Sequence, residues 1–153
     1  MQPKLNPDKI EPKLREIVND VKSLEDIGKT SEEEYIKDKI LCAAAENFLR
    51  RALEAVFDIG NHILSRFPLR AEERPSTYKG IARGLANKKI IDEKYAKQLE
   101  KMAGYRHRII HFYYELSPTE IYQIIQNNLD DFKTFTVHMR KVLDNPEKYD
   151  LTK

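Results

Sequence analysis

Between Arg106 and His111 the chain reads RHRIIH, and Tyr113 and Tyr114 follow within three positions. Arginine supplies a permanent, forked cation that matches a phosphate. Histidine exchanges a proton near neutral pH, and tyrosine stacks on a base or hydrogen-bonds a phosphate. Arginine and histidine without a carboxylate cluster beside them suit RNA cleavage that needs no metal ion. RNA brings its own 2′-hydroxyl nucleophile, so the protein has only to move protons and stabilise a charged phosphorane.

Spacing constrains how these groups can cooperate. Arg106 and His111 are five positions apart, roughly 140° around a regular helix, so they do not share a helical face. Arg106 and Tyr113, seven apart, do line up. The stretch ends where the chain must turn before Ser117, so regular geometry need not hold throughout. His107 and His111 are four apart, as two metal ligands on one helical face would be, and Asp58 and His62 repeat that spacing. Two such pairs facing each other would build a four-ligand site, which makes a zinc hydrolase the rival reading. Activity that survives EDTA excludes it.

The elements that must position these residues read as helices. Asn6-Pro7 is a helix start, and Ile10, Leu14, Ile17, Val21, Leu24 and Ile27 recur at helical spacing before Gly28. Ser31 with Glu34 forms a capping box that opens a long helix, with Leu41, Ala45, Leu49, Ala52, Val56, Ile59 and Ile63 on one face. Phe67-Pro68 stops it. Its opposite side carries a polar stripe of Asn47, Arg51, Glu54, Asp58 and His62. A short helix is expected within Ser76–Asn87, and Asp92 caps a further helix whose inward residues include Tyr95, Leu99, Met102 and Ile109. Ser117-Pro118-Thr119-Glu120 combines a capping box with proline at the first helical position, opening a last helix that runs to Leu143. Arg108 to Tyr114 would also suit a strand, but a lone strand has no partner in this sequence.

The expected fold is all-α, an up-and-down bundle of about five helices. Residues 1–144 read as one domain and 145–153 as a short, frayed tail. With 34% charged and 41% apolar residues the chain is too apolar for disorder, and a net charge of +2 requires any anion-binding surface to come from local clustering. Arg50, Lys88, Lys89, Lys101 and Arg108 are the candidate phosphate contacts. The single Cys42 excludes an internal disulfide and sits in apolar company, as a small buried residue would. No apolar run approaches a membrane span and no signal-peptide core precedes the first helix, so a cytoplasmic protein is expected.

Arg106, a polar residue at 107, His111 and Tyr113 resemble the R-x4-H-x-Y motif of HEPN-domain ribonucleases, closest to the HepT-like toxins of toxin–antitoxin pairs. Ala44 to Ile63, with Asp58-Ile59-Gly60 before His62, is similar to the family's second helix, and Pro75–Leu85, Leu99–Met102 and Tyr122–Phe135 also fit. His107 departs from the asparagine usual in close relatives. The resemblance implies a helical homodimer with two motifs facing one another in a basic cleft. It implies a metal-independent endoribonuclease acting on tRNA or mRNA, with no cofactor, partnered by a small nucleotidyltransferase antitoxin that in some pairs transfers AMP to the tyrosine matching Tyr113. On that basis Arg106 binds the scissile phosphate, His111 is general base or acid, and His107 orients the phosphate or fills the polar slot. Arg51, Asp58 and His62 then become cleft-wall residues, Asp58 orienting a motif side chain. Two readings of other classes remain: a binding module that holds a nucleotide or the nucleotidyltransferase without cleaving, and a purely structural dimerisation domain.

Overall fold

The computed structural model describes residues 3–111 and 116–153 and consists of α1 (Pro7–Ile27), α2 (Glu32–Lys37), α3 (Lys39–Ser65), α4 (Tyr78–Asn87), α5 (Glu93–Ile110), α6 (Pro118–Asn127) and α7 (Leu129–Asp144). Short 3-10 turns cover Ala71–Glu73 and Pro146–Tyr149. The only strand-like pairing among the described residues is an isolated bridge between Lys4 and Thr152.

The capping residues act as the sequence requires. Asn6 accepts the Asp8 N–H at 3.1 Å, Asp92 accepts the Tyr95 N–H at 2.7 Å, and Ser117 with Glu120 forms a complete capping box. Gly28 follows α1, but its φ of −64° is one any residue adopts. Glycine is required there because a Cβ would meet Ile125 Cγ2 of α6 at 2.8 Å.

Among the described residues seven helices form where about five were expected, because Asp38 and Asn128 each interrupt a long apolar repeat. Asp38 leaves the helix (φ −95°, ψ 95°) and its carboxylate accepts the Leu41 N–H at 3.0 Å, which separates α2 from α3. Asn128 (φ −126°, ψ 6°) separates α6 from α7. The C-terminal tail, expected to fray, packs instead. Leu151 is fully buried, and Thr152 donates to the Pro3 carbonyl while accepting from the Leu5 N–H.

α3 is the central element: it packs against α1, α4 and α5 and also touches α2, α6 and α7. Its buried residues therefore occupy several faces, among them Leu49, Leu53, Val56, Phe57, Ile59 and Ile63. Cys42, at its start, is only half-buried and donates to the Tyr35 carbonyl at 3.1 Å. α4 and α5 pair closely and pack on α3, which brings the start of α4 against the end of α5. No described helix is long and apolar enough to cross a membrane.

Candidate functional site

α5 is anchored by Tyr95, Ala96, Leu99, Met102 and Ala103, all buried. Its last turns rise out of the core and carry Arg106, His107 and Arg108. The helix ends at Ile110, and His111 takes an extended ψ of 110° while its N–H still bonds the His107 carbonyl at 3.2 Å. His111 is thus a helix cap, released from the helical face that its position would otherwise impose. Its exposed side chain turns back, and the His107 and His111 rings lie 4.3 Å apart at 45°.

Arg106 is half-buried. Its guanidinium lies over the Tyr78 ring, 4.6 Å from the centroid, and its Nε is buried without a hydrogen-bond partner. Tyr78 is the first residue of α4, behind the N-cap Thr77, and its ring packs 5.3 Å from Phe57 of the core helix α3. A chain of contacts, Phe57 to Tyr78 to Arg106, therefore fixes a cation by ring stacking, with no carboxylate partner among the described residues. Nothing in the spacing of Tyr78 signalled that it would meet an arginine 28 positions later.

Beside these residues, a groove of about 530 Å³ runs between Ser76–Lys79 at the start of α4 and Ala103, Gly104, His107 and Arg108 of α5. Arg108 also makes a two-pronged ion pair with Glu120, at 2.6 and 2.8 Å, tying the end of α5 to the capping box of α6. That bond holds the Glu120 carboxyl below the usual range and pulls together the flanks of the intervening segment. Tyr113, the candidate for modification, lies in that segment, outside the described residues.

The other sequence candidates lie elsewhere. The polar stripe of α3 faces α1: Asp58 pairs with Lys13 at 3.1 Å, and Arg51 with Glu16 at 3.2 Å and the buried Asp20 at 3.8 Å. His62 Nε2 accepts the Asn6 N–H at 3.4 Å, and its pKa is lowered by burial and by the nearby charges of Arg66 and Lys9. These three residues join α1 to α3, and among the described residues Asp58 meets Lys13 rather than a motif side chain. Among the described residues no three metal-ligating side chains come together, so the two i,i+4 pairs do not form one site within the chain. Arg50 bonds Asn47, Lys88 sits over the Phe67 ring at the far end of α4, Lys89 follows it with a φ of 59°, and Lys101 acts on Asp131. These cations are scattered and do not form one phosphate-binding stripe.

The described residues define a small helical bundle with an arginine and two histidines gathered at one helix end. The chain belongs to the ribonuclease HepT-like family, whose model matches residues 14–139. It is 32% identical over 87 residues to the mRNA nuclease HepT of Shewanella oneidensis, covering 57% of this chain and 63% of that protein. It is 23% identical over 134 residues to the tRNA nuclease HepT of Aphanizomenon flos-aquae, covering 88% and 89%. The match to the first curated relatives thus spans somewhat over three fifths of their length. In structure, it resembles the tri-AMPylated HEPN toxin of Shewanella oneidensis solved in complex with MNT antitoxin, with a TM-score of 0.76 and 25% identity over 90% of this chain and 99% of that one.

Proposed function

We propose that this chain is the RNA-cleaving toxin of a toxin–antitoxin pair: a homodimeric, metal-independent endoribonuclease partnered by a nucleotidyltransferase antitoxin. The observation that carries the reading is the Arg106 guanidinium, held 4.6 Å over Tyr78 at the helix end where the His107 and His111 rings lie 4.3 Å apart. Family membership supports RNA as the substrate, and the relatives named as mRNA and tRNA nucleases support cleavage within the chain. The AMPylated relative bound to MNT antitoxin supports a nucleotidyltransferase partner and makes Tyr113 the residue to examine for AMP.

In this reading Arg106 binds the scissile phosphate and neutralises charge as the phosphorane forms. His111 takes the proton of the 2′-hydroxyl as that oxygen attacks phosphorus, or gives a proton to the departing 5′-oxygen, working beside residues of the other chain. The 2′-O–P bond forms and the P–O5′ bond breaks, leaving a 2′,3′-cyclic phosphate and a 5′-hydroxyl. His107 steadies His111 by ring contact.

The test is cleavage of total RNA by the purified chain in EDTA, with end-group analysis. Cleavage that persists, yields cyclic phosphate, and falls at least about a hundredfold in His111→Ala, as loss of a general acid or base requires, supports the proposal. Products ending in 3′-hydroxyl, or dependence on added metal, refute the mechanism. A wild type that cuts no RNA returns the chain to the binding-module reading.

A further inference from the structure

The groove between α4 and α5 has a floor that helix chemistry alone does not explain. Gly104 lies mid-helix in α5, where glycine weakens a helix relative to alanine. A Cβ built at Gly104 would meet nothing within 4 Å, so neither packing nor a special φ within the chain demands glycine there. The empty Cβ position opens into the groove, whose volume of about 530 Å³ lies in the range of small-ligand sites. Its walls combine the aromatic Tyr78 with the exposed Lys79, and its end is formed by His107 beside Arg106. The Thr77 hydroxyl accepts the Gly80 N–H at 3.0 Å and keeps its own O–H to donate.

We propose that this groove is a nucleobase subsite: it takes one unpaired base of the RNA next to the phosphate at Arg106. In this site Gly104 keeps the floor flat for an aromatic ring, Tyr78 forms the wall, Thr77 hydrogen-bonds the base edge and Lys79 meets the flanking phosphate. Single-stranded RNA is recognised in this way, by aromatic contact to splayed bases with cations along the backbone. The mixture of hydroxyl, cation and ring fits a nucleotide better than a second protein surface, whose centre is depleted in charged residues. The placement next to a cleaved phosphate rests on the ribonuclease reading; the subsite itself does not.

The experiment therefore measures binding alone. Fluorescence anisotropy is read with 2′-O-methyl hexanucleotides of A, C, G and U, which lack the nucleophile, and with an abasic hexamer. The wild type is expected to rank the four bases and to bind the abasic strand about tenfold more weakly than the best one, the effect of losing a stacked base. Gly104→Leu, which fills the floor, should lose that same factor and flatten the ranking, while Lys79→Ala weakens all five probes by a common factor. Gly104→Ala is the milder variant should leucine disturb folding, and a smaller loss of the same kind is expected. Equal affinity for abasic and base-bearing strands, or wild-type ranking in the folded Gly104 variants, overturns the subsite. So does a drop in light-scattering mass in Gly104→Leu, which assigns the groove to contact between copies. A chain that ranks bases yet cleaves no RNA would refute the nuclease and leave the subsite standing.

Discussion

Two arginines show how the same side chain acquires opposite duties. Arg51 sits between Glu16 and Asp20 and offsets charge on the α1–α3 seam. Arg106 rests on a ring, a contact that leaves its charge unneutralised. Asp20 makes the first duty necessary: its side chain is 4% exposed and its Oδ2 has no hydrogen bond. Burial pushes its pKa from 3.8 up to about 6, against the opposing pull of Arg51. A carboxyl whose folded pKa is raised binds its proton more tightly when folded, so it favours folding at low pH and opposes it once ionised. Stability from this group should therefore fall as pH rises from about 4 to 6, by on the order of 2–3 kcal/mol. Asp20→Asn removes that slope. Urea unfolding at pH 4.5 and 7.5 should show the variant gaining on the wild type at the higher pH; parallel profiles would mean that Asp20 is solvated or fully paired.

At the scale of the element, two glycines inside helices test whether packing or function chose them. Gly60 of α3 lies where a Cβ would come within 2.7 Å of Ile81 Cγ2, so it lets α4 approach the central helix. Gly60→Ala should cost about 1–3 kcal/mol through overpacking, whereas Gly104→Ala should gain about 0.5–1 kcal/mol from helix propensity alone. Chemical denaturation of the two variants checks the opposite signs. The same scale explains what the sequence made legible. Caps at Asn6, Asp92 and Ser117 were readable because each precedes a fresh apolar repeat. The breaks at Asp38 and Asn128 were not, because the helical period continues across them and only the short polar side chain marks the interruption. The motif on α5 was legible as chemistry, since arginine and histidine are rare in such density. The ion pairs of the α3 stripe were not readable, because its partners Lys13, Glu16 and Asp20 lie on another helix, and pairing across helices leaves no mark in local spacing. Tyr78 and Gly104 escaped for the same reason.

For the whole molecule, the sum of +2 says nothing of where the cations sit. Ion pairs engage Arg51, Arg70, Arg83, Arg108 and Arg140, whereas Arg106 is held by a ring. His111 caps the end of α5 with its side chain exposed, so it is placed to act outside its own chain. A two-fold pair of chains would bring it to the Arg106 of the other copy, because symmetry repeats every contact made near the axis. If Arg106 of one chain works with His111 of the other, each single variant fails in both sites of its own dimer, but a mixed dimer keeps one complete site. Arg106→Ala and His111→Ala chains carrying different tags, co-expressed and purified through both, should then cleave RNA at about half the wild-type rate, since one of two equivalent sites survives. Should the doubly purified species form and remain as inactive as its parents, Arg106 and His111 act within one chain; should the tags never co-purify, the dimer itself is wrong.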